Sequence, residues 1–177
     1  MIGRLFGRTP KVPVEIERKF LLVSRPLVKP VRRHKIRQGY IAREGGNVVR
    51  IRQWDDRYIL SVKTPTKGAG RYEIETDIEA AAAEVLFAAC AQAPIEKTRE
   101  IYPLGDHIWE VDIFTGANQG LIIAEVELKS AQEEVILPDW IGPEVTDFQK
   151  FYNATLSVNP FRNWGVSYAD LVDRLSD

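Results

Sequence analysis

Hydrophobic and polar residues alternate with a period of two along most of the chain between residues 14 and 129. Because successive side chains of a strand point to opposite faces, this period indicates β-strands rather than helices. Short segments rich in Gly, Pro, Asp and Asn separate the alternating stretches, and connections of this length favour antiparallel neighbours. The pattern predicts eight strands, at residues 14–22, 34–43, 48–54, 58–64, 71–78, 95–102, 107–114 and 121–129.

Helices are predicted after the fifth strand and after the last. Residues 79–91 are rich in alanine and contain no cluster of β-branched residues, which favours a helix. Beyond residue 129 the pattern predicts a turn at 138–142 and short helices at 148–156 and 167–175. The predicted fold class is α+β, with a single domain at residues 14–177 that follows a flexible N-terminal arm at residues 1–13.

Charges of the same sign occur at positions i and i+2 in one predicted strand after another. Such residues share a face of the strand, where like charges repel unless something lies between them. For a single strand, the solvent-exposed face of an antiparallel sheet is a sufficient explanation. The repetition favours a functional face. The pairs are Glu15 and Glu17, Arg50 and Arg52, Glu73 and Glu75, Lys97 and Arg99, Glu110 and Asp112, and Glu125 and Glu127.

If the sheet closes with its charged face inward, the result is an eight-stranded antiparallel β-barrel, a tunnel with a charged interior and helices packed outside. Carboxylate oxygens are the ligands that hard cations prefer, and Arg and Lys donate to phosphate oxygens. Such an interior therefore suits a polyanion carried with its metal ion. Its cations would be Lys19, Arg50, Arg52, Lys63, Lys97 and Arg99, and its carboxylates Glu15, Glu17, Glu73, Glu75, Asp112, Glu125 and Glu127.

Composition narrows the classes of partner. The 177 residues include 24 basic and 25 acidic side chains, and a net charge of -1 gives no bulk field for nucleic acid or an anionic membrane. No apolar run approaches the roughly 20 residues that a membrane span needs. The single cysteine, Cys90, excludes an internal disulfide and a cysteine-based zinc cluster, which favours a reducing compartment and predicts the cytoplasm. The oligomeric state is left open, including a homodimer.

The segment Glu15-Ile16-Glu17-Arg18-Lys19 resembles the E-x-E-x-K signature that opens the CYTH domain, a family also called the triphosphate tunnel metalloenzymes. One such motif is a weak signal, but the likeness continues in order through most of the chain, from about residue 14 to residue 164. The chain is most similar to short bacterial members, several of which are inorganic triphosphatases. The further motifs lie at residues 38–40, 49–52, 61–63, 71–75, 97–99, 109–112, 125–127, 140–146 and 152–153.

The resemblance implies an eight-stranded tunnel and a role for each charged position in it. The implied ligands of Mg²⁺ or Mn²⁺ are Glu15, Glu17, Asp112, Glu125 and Glu127. The implied phosphate-binding residues are Lys19, Arg50, Arg52, Lys63, Lys97 and Arg99, with Glu73 and Glu75 in support. Lys63 and Tyr40 are the candidate catalytic residues. In the predicted strand, Tyr40 shares a face with Ile36 and Gln38 rather than with Lys35 and Arg37, so a β-bulge is expected to turn it inward.

The implied function is metal-dependent hydrolysis of a linear triphosphate, with inorganic tripolyphosphate favoured as the substrate. The same fold supports two alternatives, a class IV-type adenylate cyclase and a thiamine triphosphatase. A polyphosphate-binding module without turnover is a third, although a pure binder has no need to keep every acidic position. The expected partner is a small molecule that contains a triphosphate, rather than a nucleic acid or a membrane.

Overall fold

In the computed structural model, which describes residues 16–65, 73–130 and 132–176, nine strands form one antiparallel sheet. The strands are β1 (Ile16–Leu22), β2 (Arg32–Glu44), β3 (Asn47–Trp54), β4 (Arg57–Lys63), β5 (Glu73–Asp77), β6 (Ile95–Leu104), β7 (His107–Phe114), β8 (Ile122–Leu128) and β9 (Ile141–Glu144). Their order in the sheet is β5-β4-β3-β2-β6-β7-β8-β1-β9. Within the described residues no ladder joins β5 to β9, so the predicted α+β class is confirmed and the barrel is only approximate.

The turn predicted at residues 138–142 is present, with the Ile141 amide donating to the Pro138 carbonyl at 2.9 Å, and an unpredicted ninth strand, β9, begins at its end. It pairs with β1, placing Phe20 opposite Glu144 and Leu22 opposite Ile141. Pro143 lies within β9, and a proline is tolerated there because β9 is an edge strand with one side free of ladder hydrogen bonds. The Gly-Pro content that suggests a turn is therefore compatible with a short strand at the edge of the sheet.

Two of the predicted helices are shorter than expected, and the last has the predicted length shifted by one residue. The helix after β5, α1, spans Ala80–Ala88. The segment predicted as one helix at 148–156 is a 3-10 turn at Gln149–Phe151 followed by α2 at Asn153–Leu156. The last helix, α3, spans Tyr168–Ser176. None of the helices in the described ranges has the length and apolar character required to cross a membrane.

One face of the sheet carries most of the predicted site residues, and we call it the charged face. Directly opposed residues of neighbouring strands share a face, which fixes its members from the strand register. They are Glu17, Lys19, Gln38, Tyr40, Arg50, Arg52, Ser61, Lys63, Glu73, Glu75, Lys97, Arg99, Glu110, Asp112, Glu125 and Glu127.

The opposite face is apolar and covered by two separate segments. Helix α1 places Ala83 and Phe87 against Ile51, as expected for a helix packed outside the sheet. On β1 and β7, Phe20 and Trp109 belong to a buried cluster, which Trp140, from the segment just before β9, also joins. Burial of these aromatic rings is the main favourable contribution on this side of the sheet.

The C-terminal helices pack differently from the expectation that every helix lies outside. They cover apolar residues that lie on the charged face just beyond its charged residues. The resulting core also includes Phe151, Leu156 and Leu171. The charged face therefore becomes apolar at one end, where the C-terminal segment closes it off from solvent. The covered residues are Leu21, Ile95, Phe114 and Ile123, which lie two positions from Lys19, Lys97, Asp112 and Glu125, respectively.

The Tyr168 side chain is expected to anchor α3 to the sheet. Its hydroxyl accepts a hydrogen bond from the Leu22 amide at 2.8 Å and donates to the Ile122 carbonyl at 2.9 Å. Burial raises the pKa of Tyr168 to about 12, so the hydroxyl keeps its proton at neutral pH. Tyr168→Phe leaves both backbone groups without this partner and should lower the free energy of unfolding, measured in urea, by roughly 1–3 kcal/mol.

The matched control is Tyr152→Phe. Tyr152 is 40% exposed, and its hydroxyl donates to the Thr146 carbonyl at 3.1 Å, where water can replace it. This substitution should change the free energy of unfolding by no more than about 0.5 kcal/mol. Equal losses in the two variants would show that the Tyr168 hydroxyl does not anchor the helix.

Candidate active site

Asp112 is at the centre of the most buried part of the charged face. The Nε and Nη2 atoms of Arg99 each donate to it at 2.7 Å, and Lys97 donates to the second oxygen as well. Asp112 is 1% exposed and Lys97 is 4% exposed. Burial by itself would raise the pKa of Asp112, but the charges of Arg99 and Lys97 outweigh it and hold the pKa well below the ordinary value of 3.8. The carboxylate is therefore ionised and shared by two cations.

A series of ion pairs with alternating charge runs from Asp112 to the exposed end that β1 and β8 share. Arg99 also pairs with Glu110, and its Nη2 donates to Glu125 at 2.8 Å. Lys19 pairs with Glu125 at 2.5 Å and with Glu17 at 2.7 Å. Arg99 and Lys19 each contact at least two carboxylates, which offsets the cost of removing them from water.

A second group of charges lies on β3, β4 and β5. Arg50 donates to Ser61 and to Glu75, each at 3.2 Å, and the Ser61 hydroxyl donates to Glu75 at 2.7 Å. Lys63 pairs with Glu73 at 2.8 Å. The two glutamates predicted to play a supporting role thus contact the cations of the neighbouring strands and hold them in place.

Arg52 differs from the other cations of the charged face. No carboxylate in the described parts of the chain lies within ion-pair distance of it, and its Nε donates instead to the Gln38 side chain at 3.3 Å. Burial, together with repulsion from Arg50 and Arg99, lowers the pKa of Arg52 from 12.5 to about 10. The guanidinium remains charged at neutral pH, and it lacks the counter-charge that each of its neighbours has.

Tyr40 lies on the charged face. The β-bulge that was expected to turn it inward is not needed. Tyr40 lies directly opposite Arg50, and Gln38 lies opposite Arg52, so the two residues share the face of these arginines. The face of Lys35 and Arg37 is therefore the outer one. The β-bulge in β2 occurs beyond Tyr40, before residue 42. Burial raises the pKa of Tyr40 against the opposing effect of nearby arginines, so its hydroxyl is protonated at neutral pH.

The predicted metal ligands fall into two groups. Asp112 and Glu125 have their oxygens occupied by the cations just described. Glu17 and Glu127 lie opposite each other in the β1–β8 ladder, and both are exposed. Glu15 lies outside the described residues, as does the predicted N-terminal arm. Within the described ranges no group of three His, Cys, Asp or Glu side chains is close enough to hold a metal ion. Two opposed carboxylates fit the chemistry of a hard cation.

Three members of the charged face were not assigned a role from the sequence. Gln38 and Ser61 are each 0% exposed, and Glu110 pairs with Arg99. The sequence pattern already included Glu110 as a like-charge pair with Asp112, although no role was assigned to it. Gln38 and Ser61 carry no charge, so the pattern of like charges that identifies the other residues does not include them.

Asp112→Asn should test how much the fold depends on this cluster. The substitution leaves Lys97 and Arg99 without their shared counter-charge and should lower the free energy of unfolding by roughly 3–5 kcal/mol at neutral pH. Because the pKa of Asp112 is depressed in the folded state, its contribution is complete above the ordinary value of 3.8 and is lost as the pH falls through the folded pKa. Urea unfolding at several pH values measures both effects.

The control is Asp77→Asn. Asp77 forms an exposed ion pair with Arg57 at 2.9 Å, and such pairs contribute no more than about 1 kcal/mol. If the Asp112 variant unfolds at the same urea concentration as the unaltered protein, the buried cluster does not stabilise the fold.

Comparison with known proteins identifies a family and several relatives to which the chain is similar. The family model described as the CYTH domain matches residues 13–157. An inorganic triphosphatase from Acetivibrio thermocellus is 38% identical over 151 residues, which cover 85% of this chain and 97% of the relative. An inorganic triphosphatase from Nitrosomonas europaea is 34% identical over 149 residues, covering 82% and 97%. The crystal structure of an inorganic triphosphatase matches with a TM-score of 0.66 and 32% identity, covering 81% of this chain and 97% of that one.

Proposed function

Because the chain belongs to the CYTH domain family, the triphosphate tunnel metalloenzymes, we propose that it hydrolyses a linear triphosphate and releases phosphate, with inorganic tripolyphosphate as the favoured substrate. The family is metal-dependent. The observation in the structure that best supports the proposal is Arg52, a guanidinium on the charged face with no carboxylate partner in the described residues. A phosphate oxygen supplies the missing negative charge.

Arg50 adds to this argument from the same strand. Its Nη2 contacts Ser61 and Glu75, but its buried Nε has no hydrogen-bond partner among the described residues. A buried N–H without an acceptor costs free energy, and a bound oxyanion removes that cost. Arg50 and Arg52 are two positions apart on β3 and share a face, so one polyphosphate chain can accept hydrogen bonds from both.

The remaining cations extend this binding surface across the sheet. Lys63 continues it on β4, while Lys97 and Arg99 lie on β6 and Lys19 on β1. Phosphoryl transfer requires a protein mainly to position the substrate and to stabilise the charge on its equatorial oxygens. Cations held by carboxylates keep a fixed geometry when the substrate arrives, and each retains donors for phosphate oxygens.

Glu17 and Glu127 are the described residues proposed to hold the metal ion, together with Glu15. They are exposed and opposed across the β1–β8 ladder, next to Lys19. The proposed ion is Mg²⁺ or Mn²⁺, which when bound neutralises phosphate oxygens and polarises the bond that breaks. Asp112 and Glu125, whose oxygens contact cations, are proposed to act near this site by orienting Lys19, Lys97 and Arg99.

Tyr40 and Lys63 are the proposed catalytic residues. The Tyr40 oxygen accepts a hydrogen bond from Gln38 at 3.3 Å, which leaves its own proton available to a group on the charged face. Since its pKa is raised, Tyr40 keeps its proton and acts as a hydrogen-bond donor toward the substrate rather than as a base, and we assign it to orienting the attacking water. Lys63, held by Glu73, is positioned to bind the phosphate under attack.

Product analysis should distinguish the proposed activity from its alternatives. With Mg²⁺ or Mn²⁺ present, phosphate should be released fastest from tripolyphosphate, more slowly from thiamine triphosphate and ATP, and cyclic AMP should not accumulate. A colorimetric phosphate assay and chromatography of the nucleotide products measure these outcomes. Cyclic AMP as the main product would identify a cyclase instead, and tight binding without turnover would identify a binding module. The cytoplasmic location and a homodimer stay predictions.

Glu17→Gln and Arg52→Ala should separate metal binding from phosphate binding. Glu17→Gln removes a charge that attracts a hard cation, so turnover should fall by at least about tenfold and recover in part when Mg²⁺ or Mn²⁺ is raised. Arg52→Ala removes a phosphate contact, so KM should rise or kcat should fall, and added metal should not restore either. Steady-state kinetics on tripolyphosphate across a metal titration measures both.

Two exposed ion pairs supply the controls. Glu84→Gln changes a glutamate that pairs with Arg37 beside α1, and Arg18→Ala changes an arginine that pairs with Glu144 on the outer face of the sheet. Both variants should keep near-normal kinetics. Near-normal activity in Glu17→Gln and Arg52→Ala as well would mean that the charged face is only a solvated surface.

A further inference from the structure

We infer that Gln38 is a positioning residue, which holds Arg52 and Tyr40 in place without neutralising the charge of Arg52. The inference rests on the proposed function, because both of these residues are assigned to it. Gln38 itself belongs to the uncharged members of the charged face. Its side chain is 0% exposed, and it lies directly opposite Arg52 in the β2–β3 ladder.

Both polar groups of the Gln38 side chain are used. Its Oε1 accepts from the Nε of Arg52 at 3.3 Å, and its Nε2 donates to the Tyr40 hydroxyl at 3.3 Å. The orientation of the amide follows from chemistry, because an arginine Nε can only donate and must therefore face the oxygen. The amide nitrogen is then left to face Tyr40.

This orientation determines what the Tyr40 hydroxyl can do. Because Gln38 donates to the phenol oxygen, the phenol proton is not used in that contact and is directed to another acceptor. A water or a phosphate oxygen on the charged face can accept it. Gln38 therefore fixes Tyr40 as a hydrogen-bond donor toward the substrate side, which is the role assigned to it above.

The second part of the inference is the contrast between Gln38 and the partners of the other cations. Lys19, Lys63 and Arg99 are all held by carboxylates, whereas Arg52 is held by an amide. An amide orients a guanidinium through a hydrogen bond but contributes no negative charge. Arg52 thus stays oriented and also keeps its full attraction for an oxyanion.

Gln38→Glu and Gln38→Met test the two parts separately in the full-length chain. Glutamate has the same shape but supplies Arg52 with a counter-charge and repels the substrate, so KM for tripolyphosphate should rise by at least about tenfold. Methionine has a similar volume and makes neither hydrogen bond, so kcat should fall by about tenfold with a smaller change in KM. Both are measured by phosphate release with Mg²⁺.

A double-mutant cycle shows whether Gln38 acts through Tyr40. If it does, adding Gln38→Met to Tyr40→Phe should lower kcat by less than about twofold further, because the hydroxyl that Gln38 directs is already gone. If the kcat losses of the two single variants multiply fully in the double variant, this part of the inference is overturned. A role limited to packing would lower the free energy of unfolding without producing this non-additivity.

Gln53→Glu is the matched control for charge. Gln53 is the neighbour of Arg52 on β3, but it lies on the opposite face, and its Nε2 donates to the Asp55 carbonyl at 3.0 Å. A negative charge at this position should leave KM within about twofold of the normal value, because the sheet separates it from the substrate. A rise in KM equal to that of Gln38→Glu would overturn the charge argument.

Calorimetric titration with Mg²⁺ and an imido analogue of tripolyphosphate distinguishes a failure of this inference from a failure of the proposed function. If the unaltered protein releases no phosphate, the proposed hydrolysis fails, but the affinities still decide the role of Gln38. Weaker binding of the analogue by Gln38→Glu than by Gln53→Glu supports that role, and equal binding overturns it. Should Gln38→Glu fail to fold in thermal unfolding, the methionine variant and its double-mutant cycle decide the question.

Discussion

The structure depends on how charges are paired when they are removed from water. An unpaired buried charge costs several kcal/mol, and a paired one is tolerated only when its hydrogen bonds are satisfied as well. Asp112 shows the satisfied case, because its carboxylate receives Arg99 and Lys97 together and is 1% exposed. Glu125 extends the same arrangement to Lys19. Carboxylates of this kind hold the cations of the site at fixed positions before any substrate binds.

The strand ladder produces this pairing. Opposed residues share a face, so placing Arg99 opposite Asp112 and Lys19 opposite Glu125 gives each cation a partner on the next strand. Two positions further along the same strands the side chains become apolar, and the C-terminal helices cover them. A single face thus contains a polar part that can receive a polyanion and an apolar part that supplies core, and the period of two keeps both in register.

The sequence identified the sheet and the charged positions because both follow a period of two, and it identified the family through an ordered series of motifs. It missed β9, since Pro143 is acceptable only at an edge and the edge is set by tertiary pairing. The family resemblance implied that Asp112 is a metal ligand, but a sequence motif does not show that Arg99 and Lys97 contact its carboxylate. No role was assigned to Gln38 from the sequence, because its proposed role depends on its contacts and it carries no charge.

The contacts of Arg52 show why the site cannot be understood from a count of charges. A face on which every cation were fully neutralised would be stable but would have little attraction for a triphosphate. A face of free cations would attract it but would repel itself: the pKa of Arg52 is lowered by burial and, beyond that, by the charges of Arg50 and Arg99. Among the described cations of the charged face, Arg52 is oriented by the Gln38 amide and has no carboxylate partner. The charged face thus keeps an unneutralised charge at the position where we propose that an oxyanion binds.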